Sequence, residues 1–325
     1  MRIWMNSCHA ALEYDLALML KAYGNVELDG IFDYGSKQRP KVKGFTDKDA
    51  PGHIHDKAKT LELTADDIGH PDIVICHQTS DYPARAAMYA AMGIPVIVTI
   101  FGQGNMTLHD MLAKVAKRYF NVYIVTYSLK AQRIYDRLLG ESRSQAHFIR
   151  FGKPYQEFNP DHWTGEDPVC FVPHNSVHRR GEGCGWPIVS ELISRGVPIR
   201  LAGKDTEEVG GLGEITYEEL KSQYKKCRVM FSPGTHPAPY TLTFVEAVCS
   251  GTPVIVNDSK SGLSQEGLPV VITEGVEEAY TAITNALLND RFNEILHDNS
   301  RMMWQNDFGA AMIWEQWGSL LSSLV

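Results

Sequence analysis

The stretch from Arg228 to Asp258, RVMFSPGTHPAPYTLTFVEAVCSGTPVIVND, restricts the fold more than any other. Val229-Met230-Phe231 is a short apolar run that stops at Ser232-Pro233. Gly234 to Tyr240 holds the breakers Gly234, Pro237 and Pro239, so it reads as a loop. Leu242, Val245, Glu246 and Cys249 then fall at helical spacing. Gly251 closes that helix and Pro253 follows it. Val254-Ile255-Val256 is apolar without alternation, as a strand covered on both faces requires. Strand, loop, helix, turn and strand make one βαβ unit. In a parallel sheet, the loop after Pro233 lies at the carboxyl edge, where ligands bind.

The same alternation runs along the whole chain. Met1–Met5, Val26–Phe32, Pro71–Cys76, Val96–Thr99, Val122–Val125 and Ala146–Arg150 read as strands, separated mostly by helical segments. Pro160 to Asp167 is polar and bounded by proline, a linker pattern. Strand and helix alternate again from Val169 to Asn289. The expected fold is α/β, with two Rossmann-like domains at 1–160 and 161–300. An aromatic-rich helical tail at 301–325, with Trp304, Trp314 and Trp317, is expected to pack back on the first domain. No internal repeat or low-complexity tract interrupts this pattern.

Length and composition fit that division. The chain has 325 residues and is 44% hydrophobic, enough for two cores. Its formal charge of -8 argues against a surface dedicated to nucleic acid or anionic membrane. The six cysteines form no CxxC pair, so reduced core thiols and a cytoplasmic protein are expected. No signal-like apolar segment opens the chain, and no apolar run approaches the length of a membrane span.

Several residues invite a chemical reading. The first βα loop lacks GxGxxG, which removes the dinucleotide fingerprint, and leaves His9 as its nearest polar candidate. The segment 36–60 gathers Lys37, Arg39, Lys41, Lys43, Lys48, Lys57 and Lys59 against three aspartates. A solvated loop explains it first, and an anionic acceptor second. His53, His55 and Asp56 sit together there, but ligand geometry needs three or four converging groups, so no metal is expected. After the strand at Val169–Val172 come Arg179, Arg180 and Gly181. A guanidinium fork and backbone N–H groups at that place suit a diphosphate. Lys204, after the next strand, is a second phosphate candidate.

The 229–256 stretch resembles the nucleotide-sugar signature of GT-B glycosyltransferases, in particular the retaining family-four class. Glu246, Ala247, Gly251, Thr252, Pro253 and Val254 stand in its register. Gly152 and Arg180-Gly181 resemble two further segments of that family. The chain departs at Ala238, where the family has its first glutamate, and at Phe101 and Asn175, where it has histidine and arginine. The Gly-Phe-Gly positions carry Pro239, Tyr240 and Thr241.

The resemblance implies a GT-B architecture of two domains facing across a cleft. It implies transfer of a sugar from a UDP- or GDP-sugar to an acceptor hydroxyl, with retention of configuration and without a metal or other cofactor. Glu246 would hold the ribose and Arg180 the leaving diphosphate. Arg179, Lys204, Tyr240, Thr241, Thr243 and His236 would complete the donor site. His77 or His109 would take over from the histidine replaced by Phe101. The acceptor is left open between a saccharide, a small molecule and a modified DNA base, as in phage enzymes of this fold. A degenerate protein that only binds a nucleotide or sugar is the other reading, and a homo-oligomer is compatible with the sequence.

Overall fold

The structure is a computed structural model and describes residues 1–7, 9–32, 39–43, 45, 49–101, 105–236, 238–259 and 261–325. Lys37, Lys48 and Asp47 of the basic segment, Cys8, Gly102, Gly104 and Pro237 lie outside the described residues. The chain divides into two units, Met1–Arg150 with Ile313–Val325, and Phe151–Met312. The division falls after Arg150, ahead of the boundary at 160 expected from sequence. The cause is local to the second unit. Lys153 forms a parallel bridge with Gly309, and its N–H donates to the Phe308 carbonyl at 3.1 Å.

The first unit runs β1 (Arg2–Asn6), α1 (Ala10–Tyr23), β2 (Glu27–Ile31), α2 (Gly52–Thr60), β3 (Ile73–His77) and α3 (Tyr82–Ala91). It continues with β4 (Val96–Ile100), α4 (Met106–Arg118), β5 (Val122–Thr126), α5 (Leu129–Leu139) and β6 (Ala146–Phe148). Its sheet has the order β2-β1-β3-β4-β5-β6, and every described pairing is parallel. The core strands β3 and β4 are buried at every position, which is why they read as unbroken apolar runs. Asn105 and Ser128 cap α4 and α5, each side chain accepting a first-turn N–H. Helix α2 falls inside the segment read as irregular. Only Ile54 and Ala58 of it are buried, a stripe too thin to mark a helix in sequence.

The second unit runs β7 (Asp167–Pro173), α6 (Val177–Arg180), α7 (Trp186–Ser194), β8 (Ile199–Ala202) and α8 (Tyr217–Lys226). Then come β9 (Cys227–Ser232), α9 (Leu242–Cys249), β10 (Val254–Asn257), β11 (Val271–Thr273), α10 (Val276–Leu288) and α11 (Asp290–Met303). Helix α12 (Ala310–Ser322) ends the chain's ordered elements, and from Ile313 onward it belongs to the first unit. The sheet order is β11-β10-β9-β7-β8, again parallel throughout. Thr216 and Glu219 close a full capping box on α8.

Both sheets therefore reverse direction beside their first strand. The reversal lies between β1 and β3 in the first unit and between β7 and β9 in the second. In open parallel sheets such a point leaves a crevice at the carboxyl ends of the two strands. Cys76, Cys170, Cys184, Cys227 and Cys249 are buried thiols. Among the described residues no helix is long and apolar enough to cross a membrane, and no cluster of His, Cys, Asp or Glu is gathered for a metal.

Candidate active site

In the second unit, β7 ends at Pro173 and hands over to His174, Asn175 and Ser176. The imidazole of His174 spans the reversal point. Its Nε2 meets the Thr235 hydroxyl, in the loop after β9, at 3.2 Å, and its Nδ1 meets the Asn175 carbonyl at 3.1 Å. A carbonyl only accepts, so Nδ1 carries the proton and Nε2 accepts from Thr235. Burial pushes the His174 pKa down to about 4; the Asn175 carbonyl opposes this and the charge of Arg180 adds to it. His174 is thus neutral, a brace that ties two loops at the carboxyl edge. Sequence reasoning missed it. The available signal was its place, the first polar residue after the domain's first strand.

The loop after β8 is fastened to the same edge. Asn175 Oδ1 accepts the Lys204 N–H at 2.9 Å, and Ser176 donates to Asp205 at 2.7 Å. Gly203, at φ +127°, permits this approach. A Cβ there would lie 2.8 Å from the His174 carbonyl and from Asn175 Oδ1. Asn175, standing where the resembled family has arginine, here organises backbone.

Three cations were expected to meet phosphate, and the structure separates them. Arg179 pairs with Glu208 and lies 3.5 Å from Asp205, so it fastens α6 to the turn after β8. Arg180, at the end of α6, and Lys204, just past β8, are both exposed. Neither forms an ion pair among the described residues. The edge beside the reversal point thus carries two uncommitted positive charges.

The loop after β9 leads into α9. Thr241 caps it, accepting the Phe244 N–H at 3.4 Å, and its hydroxyl meets that of Thr243 at 2.7 Å. The first-turn N–H groups of Leu242 and Thr243 remain for an anion at the positive end of the helix. Tyr240 is 6% exposed and packs edge-on against Phe151 and Phe308, so its ring is core rather than cleft. His236 is exposed, and its N–H donates to the Gly183 carbonyl at 3.0 Å.

Glu246 is placed inside the unit, 1% exposed. Oε1 accepts from Lys153 Nζ at 3.2 Å and Oε2 from the Tyr224 hydroxyl at 3.0 Å. Lys153 itself is fully buried, with its ammonium 5.5 Å from the Phe158 ring centroid. A ribose would have to displace one of these partners to reach the carboxylate. In this arrangement Glu246 ties α9 to the segment that opens the unit. A lone lysine between Gly152 and Pro154 carries no sequence signal for such a role.

A cleft of about 220 Å³ opens beside the loop after β9. The turn before α7 supplies Glu182 and Gly185 to its wall, and the two loops after β9 and β10 supply His236 and Ser259. Gly185, at φ +68°, lets the turn touch the Pro233 backbone; a Cβ would fall 2.7 Å from Pro233 Cβ. Asn257 braces the opposite side, donating to the Pro233 carbonyl at 3.1 Å and to Ser259 at 3.0 Å.

In the first unit, His77 closes β3 at the reversal point. It is wholly buried, its Nδ1 lies 2.8 Å from the Thr99 hydroxyl, and its Nε2 has no hydrogen-bond partner. Burial drives its pKa down to about 3, and the charge of His9 adds to this, so it is neutral. Phe101 stacks on Tyr127 at 5.5 Å and lies 5.9 Å from the His77 ring. The expected histidine position is thus filled by an aromatic that packs beside His77. His109 is placed elsewhere. It is 2% exposed on α4, with Nδ1 2.8 Å from the Tyr135 hydroxyl of α5, in helix packing away from the strand ends. His55 lies 3.3 Å from Asp49, an exposed pair.

Comparison with known proteins agrees with this architecture. No protein-family model matches the chain, and no curated protein sequence does. Solved structures do. HepE of Anabaena, in complex with UDP and glucose, superposes with a TM-score of 0.72 at 15% identity, covering 99% of both chains. The lipopolysaccharide outer core galactosyltransferase WaaB gives 0.62 at 11% identity over 100% of both. A putative UDP-N-acetylglucosamine 2-epimerase from Listeria monocytogenes gives 0.64 at 12% identity, covering 99% of this chain and 96% of the other. The chain has the GT-B fold of the glycosyltransferases. At these identities the likeness is one of fold.

Proposed function

We propose that the protein is a glycosyltransferase that moves a sugar from a nucleoside-diphosphate sugar to an acceptor hydroxyl. The observation that carries this is the pair of uncommitted cations, Arg180 and Lys204, beside the reversal point of the second sheet. The N-terminus of α9 supplies further donors at the same edge. A diphosphate is the ligand class that suits such donors. UDP is the first nucleotide to test, because HepE binds it on the same fold.

The acceptor oxygen bonds to the anomeric carbon as the bond from that carbon to the β-phosphate oxygen breaks. The electron pair leaves with the diphosphate, and Arg180 stabilises the charge that develops there. The acceptor's proton passes to a leaving phosphate oxygen, on the face from which the phosphate departs, so configuration is retained. The first unit holds the acceptor. His77 is neutral and wholly buried against the Thr99 hydroxyl, and with a pKa of about 3 it is too weak a base to take the proton. Glu246 belongs to the framework of α9 and acts on the donor through it.

The test is a thermal-shift panel of UDP-, GDP-, ADP- and dTDP-glucose with the bare diphosphates, followed by an assay for diphosphate release. One nucleotide series should raise the melting temperature in wild type and lose the effect in Arg180→Ala. No shift from any nucleotide on folded protein contradicts the proposal. A shift without turnover for any acceptor leaves a binding protein instead.

A further inference from the structure

The lining of the cleft before α7 includes neither cation, but Arg180 is near it. Arg180 lies two residues before Glu182 in the chain. Burial raises the pKa of Cys184, which is flanked by two glycines of the cleft wall, and the charge of Arg180 opposes that rise. The cleft lining has two characters. Pro187 and Ile188 offer an apolar surface, while Glu182, His236 and Ser259 offer polar groups. Ser259 accepts from Asn257, which leaves its own hydroxyl proton to donate. A ligand that suits such a wall has C–H faces and hydroxyl edges. The volume of about 220 Å³ lies below the roughly 300–1,000 Å³ of sites for drug-sized molecules, so it admits a single ring.

We infer that this cleft receives the sugar of the donor, and that Glu182 is the carboxylate that grips its hydroxyls. The inference rests on the donor reading above and adds to it a location, a residue and a substrate class. The loop after β9 has no carboxylate of its own, since Ala238 is buried and apolar. The carboxylate comes instead from the turn that follows Arg180, so one short segment faces both the diphosphate and the sugar. A carboxylate accepts from two neighbouring hydroxyls and repels a second carboxylate. The sugar is therefore a neutral monosaccharide rather than a uronic acid.

Calorimetric titration of wild type, Glu182→Ala and Glu182→Gln tests this with the diphosphate that stabilises wild type, its glucose conjugate and its glucuronate conjugate. The bare diphosphate should bind all three proteins alike, because it does not reach Glu182. The glucose conjugate should lose roughly tenfold to a hundredfold in affinity in Glu182→Ala, the worth of a hydrogen bond to a charged group. Wild type should prefer glucose to glucuronate, and Glu182→Gln should narrow that preference. Unchanged binding of the glucose conjugate in both variants overturns the inference and leaves the donor reading standing. So does loss of bare diphosphate binding in Glu182→Ala, which would place Glu182 at the phosphates. If no diphosphate binds wild type, the donor reading fails and this inference falls with it.

Discussion

In both units a histidine stands where the sheet reverses, His77 at the end of β3 and His174 one residue past β7, and burial keeps both neutral. Their surroundings differ. His174 has both ring nitrogens engaged, by Asn175 and Thr235, and stands among loops fastened to one another. His77 has one nitrogen held by Thr99 and the other without a partner. The open nitrogen of His77 is sealed from solvent, a buried polar atom left without a partner. The second unit pairs its scaffold with two exposed cations, Arg180 and Lys204, that form no ion pair among the described residues, while the buried histidine of the first carries no charge. This asymmetry suits the proposed binding of a charged donor at the second sheet.

The largest expected effect comes from the buried ion pair between Lys153 and Glu246 of α9. Lys153→Met removes the ammonium 3.2 Å from the buried Glu246 carboxylate, a loss of about 3–5 kcal/mol. Urea unfolding followed by hydrogen exchange should show the strands β7 to β11 destabilised, and β1 to β6 at wild-type protection.

Acid comes next. The unfolded chain protonates each histidine below about 6.5, while folded His174 resists until about 4 and folded His77 until about 3. The unfolded state therefore binds more protons, and stability is full above pH 6.5 and falls as the pH drops through that window. Each tenfold weakening of proton binding on folding corresponds to about 1.4 kcal/mol. His174→Gln should flatten the acid slope of the second unit, and His77→Asn that of the first, in urea midpoints taken from pH 7 to 4.5.

Arg180→Ala should weaken nucleoside diphosphate binding roughly tenfold to a hundredfold in calorimetry, without lowering the melting temperature. The smallest effect belongs to its neighbour. Arg179→Ala should leave nucleotide affinity unchanged, because Glu208 and Asp205 already hold that guanidinium.

That last contrast shows what sequence can and cannot carry. The apolar runs at Ile73–Cys76, Val96–Val98 and Val229–Phe231 announced buried parallel strands, and strand order put Arg180 and Lys204 at a carboxyl edge. Two adjacent arginines look equivalent in sequence. What divides them is Glu208, 29 residues away from Arg179. Glu246 stands in register with a ribose-binding position, but its partner Lys153 is 93 residues distant, and no local pattern couples them. His109 and His77 were equal candidates for the place taken by Phe101. Helix periodicity turns His109 toward Tyr135, whereas the end of a strand leaves His77 at the edge. Short-range chemistry was legible; pairings made by the fold were not.

The nucleotide is proposed to be held by the carboxyl edge of the second sheet, and hydrogen exchange of the whole chain with and without saturating UDP is the test. A nucleotide held there should slow exchange in residues 174–181, 203–205 and 234–243 on adding UDP, with the residues after β1 and β3 unchanged. Protection confined to the residues after β1 and β3, with none after β7, β8 and β9, would contradict it.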